Sequence, residues 1–374
     1  MSIKIKLGGV RNIKQLLLFV LVLPIILVLG GCVSSGVTGK VTAPLPTGMS
    51  DAEAQLWAAA KEDGKVVFCN NLPVHMAESL GKSFEEKYGI EVEVVRIAAG
   101  VLAQRFYTEK ESGVNTCDVF NNGVTEAFPD WKGRGYFTKL TDLPEWESFP
   151  STCKDKDGYY VDTRTDTTIT FYNSDIVTEG QLPKSLWELT EPQWKGKVGI
   201  VDPAIAGTWL LWARWVVQHP DLGWEYLEAL SANDPVMFAE DGQLTDAIAN
   251  GRAYITPDEL GIYYYSALIK GAPLAVAPLM KEGTITHPQP SGIPTGAPHP
   301  NAAKLFMNYL MSKEGQQQHI NVGLSTCRLD IGTDAAMPWK PSLEEGWQPD
   351  WESLAQSGDR QQFLERVNII LKGQ

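Results

Sequence analysis

Histidine and cysteine are scarce in this chain, five of each among 374 residues. His75, His219, His287, His299 and His319 are scattered and show no HExxH spacing, and the cysteine spacings match no zinc motif. Gly323-Leu324-Ser325 lacks the closing glycine of a GxSxG elbow, and no P-loop is present. The common local signatures of metal-dependent, serine and nucleotide hydrolysis are therefore missing, although a triad is assembled in space rather than in sequence. Basic residues are also few: 32 Lys and Arg stand against 45 Asp and Glu, a formal net charge of −13. Such a surface repels nucleic acid and anionic headgroups, so no nucleic-acid partner is expected. Nothing in the composition calls for a cofactor. There is no internal repeat, and after residue 31 no apolar run approaches a membrane span.

The first residues differ from the rest. Lys4, Lys6, Arg11 and Lys14 precede an apolar run from Leu16 to Leu29, broken by Pro24. Basic start, apolar centre and small residues before a cut make an export signal over residues 1–31. Leu29-Gly30-Gly31-Cys32 resembles the lipobox of bacterial lipoproteins, which makes Cys32 the expected lipidation site. The protein is then expected outside the cytoplasm, in the periplasm or on the outer face of the membrane, touching lipid only through its amino terminus. Residues 32–48, rich in Ser, Gly, Thr and Pro, are expected to be a flexible tether.

Four further cysteines remain. Cys69 and Cys117 sit in apolar runs and read as buried small hydrophobes. Cys153 and Cys327 lie in polar, loop-like stretches and are the candidates for a disulfide, although four cysteines allow three pairings and the sequence does not choose among them.

From residue 50 the hydrophobic period alternates. Ser50 with Glu53 forms a capping box for a first helix, stopped by Gly64. Lys65–Asn70 reads as a strand, His75–Tyr88 as a helix, Ile90–Arg96 as a strand, Val101–Ser112 as a helix and Cys117–Asn121 as a strand. A second alternating block runs from Val198 to Ala277. Between the blocks, Tyr159–Tyr172 is extended and rich in β-branched residues, as a crossing segment would be. Helical patterns return at Pro300–Lys313, Glu314–Asn321 and Asp359–Leu371. Strands alternating with helices predict an α/β fold with parallel sheets, and two such blocks predict a cleft where strand carboxyl ends meet helix amino ends.

Three segments carry a resemblance. VVFCNNLPVHMAESLGKSFEEKYGIEVEVVRIAAG (Val66–Gly100), PKSLWELTEPQWKGKVGIVDP (Pro183–Pro203) and GAPHPNAAKLFMNYLMSKEGQQ (Gly296–Gln317) resemble, in this order, bacterial extracellular solute-binding proteins of family 1. The branch most similar holds ferric-iron and phosphonate binders. The resemblance implies a two-lobed type II periplasmic-binding (Venus flytrap) fold, each lobe a mainly parallel sheet flanked by helices. It places the first lobe at 49–166 and 284–374 and the second at 167–283. It implies a monomeric, non-enzymatic binding protein that hands a small solute to an ABC transporter permease. A ligand sensor and an extracytoplasmic hydrolase are the other readings.

Ligand contacts implied by the resemblance are Asn70 and Asn71 after the first strand, Gly100 after the second, Asn122 after the third, Arg164 in the crossing strand, and Gly207, Thr208 and Asp241 at helix starts of the second lobe. Asparagine also serves simply to satisfy its own turn. Tyr263, Tyr264 and Tyr265 are the candidates for phenolate ligands to ferric iron, with Tyr264 also a candidate ligand contact. Their register is off by about two residues, and successive helical residues point in different directions. Asp258 is expected to cap that helix. Trp209, Trp212 and Trp215 recur every three residues, a core pattern. The expected ligand is a small oxyanion or polar organic molecule, with ferric iron as the alternative.

Overall fold

The computed structural model describes residues 48–205, 207–328, 330–331, 346–347 and 358–373. Cys32, the signal segment and nearly all of the tether lie outside the described residues. Helix α1 (Asp51–Asp63) starts where Ser50 accepts a hydrogen bond from the Glu53 N–H at 3.2 Å, and it stops at Gly64 in the left-handed conformation. Then come β1 (Lys65–Asn70), α2 (Val74–Tyr88), β2 (Glu91–Arg96), α3 (Ala99–Glu111) and β3 (Val119–Asn121). β1 lies between β2 and β3 and pairs with both in parallel, as alternating strands and helices require. α4 (Phe128–Gly133) and β4 (Phe137–Thr138) lead to the crossing strand β5 (Val161–Thr167).

The second lobe contains β6 (Phe171–Asn173), β7 (Gly199–Val201), α5 (Gly207–Gln218), α6 (Gly223–Ala232), β8 (Val236–Phe238), α7 (Asp241–Ala249), β9 (Ile255–Thr256), α8 (Gly261–Leu268) and β10 (Leu274–Val276). The chain returns through β11 (Thr284–Pro294), which is antiparallel to β5, β3 and β4, and continues into α9 (Pro300–Met311) and α10 (Lys313–Asn321). The second lobe departs from the expected mainly parallel sheet. β7 and β8 are parallel, whereas β10, β6 and β9 pair antiparallel, because β6 enters from the crossing strand against the direction of its neighbours.

Each lobe has its own core. Phe68, Phe84, Phe306 and Tyr309 centre one cluster of the first lobe, and Phe106, Phe120, Phe128 and Trp131 a second. Trp209, Trp212, Tyr226 and Phe171 centre that of the second lobe. Each aromatic removes a large apolar area from water, the dominant favourable term in folding. The three-residue tryptophan spacing is thus core packing. The expected first-lobe assignment of 284–374 does not hold for the C-terminal helix (Gly358–Lys372). Its Phe363 and Val367 join the second-lobe core, and Ser231 donates to the Ile370 carbonyl at 2.6 Å. Among the described residues, no helix is long and apolar enough to cross a membrane.

Both cysteine expectations are reversed. Cys69 at the end of β1 and Cys117 just before β3 form a disulfide, their Cα atoms 5.8 Å apart, because the strand order makes β1 and β3 neighbours. Cys153 and Cys327 are free, buried thiols. Closing a 48-residue separation stabilises by about 4 kcal/mol on loop entropy.

Candidate functional site between the lobes

The crossing strands form the floor of the interlobe region. β5 and β11 pair so that Arg164 faces Gln289 and Asp166 faces His287. Arg164 is almost completely buried; its Nε donates to Asp166 at 3.0 Å while its Nη2 has no partner. Ser325 donates to the other Asp166 oxygen at 2.9 Å. Gln289 Nε2 lies 2.9 Å from His287 Nδ1, and Gln289 Oε1 is unpartnered. Burial pushes His287 down to about 4, so its ring is neutral at neutral pH.

On the first-lobe wall, two expected ligand residues turn inward to the backbone. Asn70 accepts from the Leu72 N–H at 3.1 Å and donates to the Phe68 carbonyl at 3.0 Å. Asn122 accepts from the Val124 N–H at 2.7 Å and donates to the Ala99 carbonyl at 3.0 Å, tying the loop after β3 to the start of α3. Both are turn residues. Asn71 is different: its Oδ1 is buried without a partner. A side chain at Gly123 would meet Gln289 Oε1 at 3.2 Å and Asn71 Nδ2 at 3.6 Å, so glycine leaves these two amides room.

The lobes touch through small residues. A Cβ at Gly100 would lie 3.0 Å from the Ile205 carbonyl oxygen, and one at Gly207 would lie 3.4 Å from the Gly123 carbonyl oxygen. Gly207 opens α5 and is followed by buried Thr208 and by Trp209, whose indole Nε1 has no partner.

The second-lobe wall carries carboxyl groups. Asp241 is the first residue of α7, with Oδ1 buried and unpartnered. Asp258 is not a cap: the residue before α8 is Leu260, and Asp258 Oδ1 instead accepts from Thr168 Oγ at 2.5 Å. Glu259 is wholly buried, its backbone pairing in both directions with Ile169 at 2.8 and 3.0 Å. Asp258 Oδ2 and Glu259 Oε2 are also unpartnered. Desolvation raises all three, Asp241 to about 6, Asp258 to about 7 and Glu259 well above the ordinary carboxyl range.

Helix rotation separates the three tyrosines. Tyr264 packs in the second-lobe core, its ring centroid 5.7 Å from that of Phe171. Tyr265 lies against Gly323, where a Cβ would sit 2.2 Å from its ring. Tyr263 alone of the three lines the interlobe cavity. This cavity is about 540 Å³, walled by Pro73, His75 and Arg96 from the first lobe and by Gly242, Ser266 and Lys270 from the second. His75 is held below its ordinary value by burial and then by Lys270. A second interlobe cavity, about 920 Å³, is lined by Gly100, Arg105, Val124, Ile205 and Gly207. The structure thus brings Asn71, Gly100, Arg164, Gly207, Thr208, Asp241 and Tyr263 to the interlobe region. Asn70, Asn122 and Tyr264 have structural partners instead. Sequence reasoning missed Arg96, Lys270 and Gln289; of these, only Arg96 carried a signal, as the last residue of a strand ending at the cleft.

The model of the bacterial extracellular solute-binding proteins matches residues 79–344. The chain belongs to this family. It is a solute-binding protein of the kind that serves ABC transporters, working outside the cytoplasm, and proteins of this family deliver ligands to membrane permeases. It is 28% identical over 291 residues to an uncharacterised protein of Haemophilus influenzae, spanning 74% of this chain and 82% of that one. It is likewise 28% identical over 208 residues to a putative 2-aminoethylphosphonate-binding periplasmic protein of Salmonella typhimurium, half of this chain and 58% of that protein. Among solved structures, the fold is similar to iron-bound HitA of Pseudomonas aeruginosa (TM-score 0.69, 18% identity, 81% of this chain and 99% of that one). It is equally similar to AfuA of Actinobacillus pleuropneumoniae with bound fructose-6-phosphate (TM-score 0.70, 20% identity, 83% and 99%). These likenesses establish the two-lobed periplasmic-binding fold.

Proposed function

We propose that this protein captures a small organic oxyanion between its lobes and delivers it to an ABC permease, as a monomer anchored through lipid on Cys32. One observation carries the ligand class. The 540 Å³ cavity joins both lobes and gathers Arg96, Lys270 and His75 near the amino end of α2, whose first turn has no side-chain cap. Unpaired N–H groups, a helix dipole and two fixed cations suit an oxyanion. The phosphonate named for the Salmonella relative and the sugar phosphate bound to AfuA are ligands of this class.

The ferric-iron reading is weaker on geometry. It needs neighbouring phenolates at one point, and Tyr264 and Tyr265 are directed to a core and to Gly323, leaving Tyr263 alone. Titration calorimetry with phosphonates, sulfonates, carboxylates and ferric citrate tests the proposal. Heat from an organic anion is the expected result. A visible tyrosinate-to-iron band that disappears in Tyr263→Phe overturns it.

A further inference from the structure

A third cavity, about 950 Å³, is larger than either interlobe cavity. It lies in the second lobe, where the two crossing segments enter it at Thr168 and Thr284. Its volume falls within the roughly 300–1,000 Å³ of small-molecule sites. Ile169, Val276 and Met280 give it an apolar lining, and Tyr172 and Trp215 contribute aromatic rings. Asp258 stands among them and is 2% exposed. Its Oδ1 accepts from Thr168 Oγ, and Thr284 Oγ donates to the Thr168 carbonyl at 2.7 Å. The two crossing segments thus fix the carboxyl group, and its Oδ2 is left buried without a partner. Beyond desolvation, the groups acting on Asp258 are the Thr168 hydroxyl and another carboxylate, Asp241, with no cation among them. Glu179 and Lys184 also line the cavity, but both are exposed and opposite in charge, so Asp258 sets the sign inside. A buried carboxyl oxygen without a partner is costly. A cation that brings N–H donors removes that cost, and aromatic faces hold the charge further.

We infer that this cavity is a second binding site, separate from the interlobe site, for an organic monocation: an ammonium pairs with Asp258 Oδ2 while an apolar body lies against Tyr172, Trp215 and Met280. The inference does not rest on the oxyanion proposal. Among the described residues, this cavity shares no lining residue with the one that holds Arg96 and Lys270. An ammonium offers up to three donors and a full positive charge, which suits a fixed carboxylate with one oxygen open.

The test uses three compounds of similar shape and different charge: 2-phenylethylamine, 2-phenylethanol and phenylacetate. Each is titrated calorimetrically into the purified full chain. The amine is expected to bind roughly tenfold or more tighter than the alcohol, and phenylacetate most weakly. In Asp258→Asn, checked for native circular dichroism, the ratio of amine to alcohol is expected to fall toward one. Leu279→Lys places a like charge at a half-exposed position of the same lining, so it should weaken the amine and spare the alcohol. In Arg96→Gln/Lys270→Gln the amine should bind as in wild type. Equal or tighter binding of the alcohol or of phenylacetate overturns the inference, as does the absence of heat from the amine at millimolar concentration. Full amine affinity in either folded variant of this cavity overturns it too. Loss of amine binding in the Arg96 and Lys270 variant would put the amine between the lobes and overturn the second site. Because the wild-type ratios are decisive alone, a variant that fails to fold does not rescue the inference.

Discussion

The two walls of the cleft use their buried polar groups differently. On the first-lobe wall most polar side chains are spent on the backbone, with Asn71 Oδ1 and Asn121 Oδ1 left open. Asn70, Asn121 and Asn122 each donate to backbone carbonyls, and Asn70 and Asn122 also accept from the N–H two residues on. A disulfide locks the two strands from which these loops emerge. On the second-lobe wall Trp209, Asp241, Asp258 and Glu259 are buried with polar atoms left open. Loops tied to their own backbone hold a shape, whereas unsatisfied buried groups await a partner. The contrast is the one expected if, on the proposed function, the first lobe holds its shape and the open groups of the second add to ligand selectivity.

The comparison breaks most visibly if the disulfide is not what stiffens the first lobe. Replacing Cys69 and Cys117 by alanine should cost about 4 kcal/mol, read from denaturant unfolding, whereas Cys153→Ala with Cys327→Ala should cost much less. Equal losses would remove the distinction. Next in size is Asn122→Ala, expected to lose about 2 kcal/mol because the Val124 N–H and the Ala99 carbonyl both lose a partner. Its ligand preference should not change; a changed preference would place Asn122 at the ligand.

On the other wall the sign should reverse. Asp258 ionises in the unfolded chain near 3.8 and in the folded protein near 7. The folded state therefore keeps the proton longer, and stability falls as pH rises between those values and stays lower above them. Asp258→Asn removes this loss, so the ligand-free variant should be more stable than wild type at pH 8, by at most about 4 kcal/mol and on the order of 2 kcal/mol once the weaker hydrogen bond to Thr168 is allowed for, with the gain vanishing near pH 4. A loss at pH 8 would mean that the carboxylate already has a partner. The smallest expected effect is at the lobe contact. Gly100→Ala places a Cβ 3.0 Å from the Ile205 carbonyl oxygen, which should disfavour closure and weaken ligand binding roughly tenfold without lowering the melting temperature.

Local rules carried much of the fold. The Ser50 cap, the Gly64 and Gly89 stops and the alternation through β3 are read from neighbouring residues, and the structure repeats them within one or two positions. The division of the three tyrosines also follows from helical rotation alone. The cysteine pairing did not, because it depends on β3 lying beside β1, a matter of strand order. The C-terminal helix was misplaced for a similar reason: its periodicity marks an apolar face without saying which lobe covers it. Gln289 was hidden by distance in the chain, since it acquires its meaning from a segment more than a hundred residues away across the crossing strands. Lys270, a charge in the turn after α8, has no pattern to distinguish it from a solvated surface residue.

The proposed function turns on Arg96 and Lys270 holding an oxyanion between the lobes. The most direct measurement is calorimetric titration of the tightest-binding organic anion into wild type and into Arg96→Gln/Lys270→Gln, with circular dichroism confirming the fold of both. The expected result is a loss of affinity of roughly a hundredfold, about 1.4 kcal/mol for each cation removed. Unchanged affinity in the double variant would contradict it.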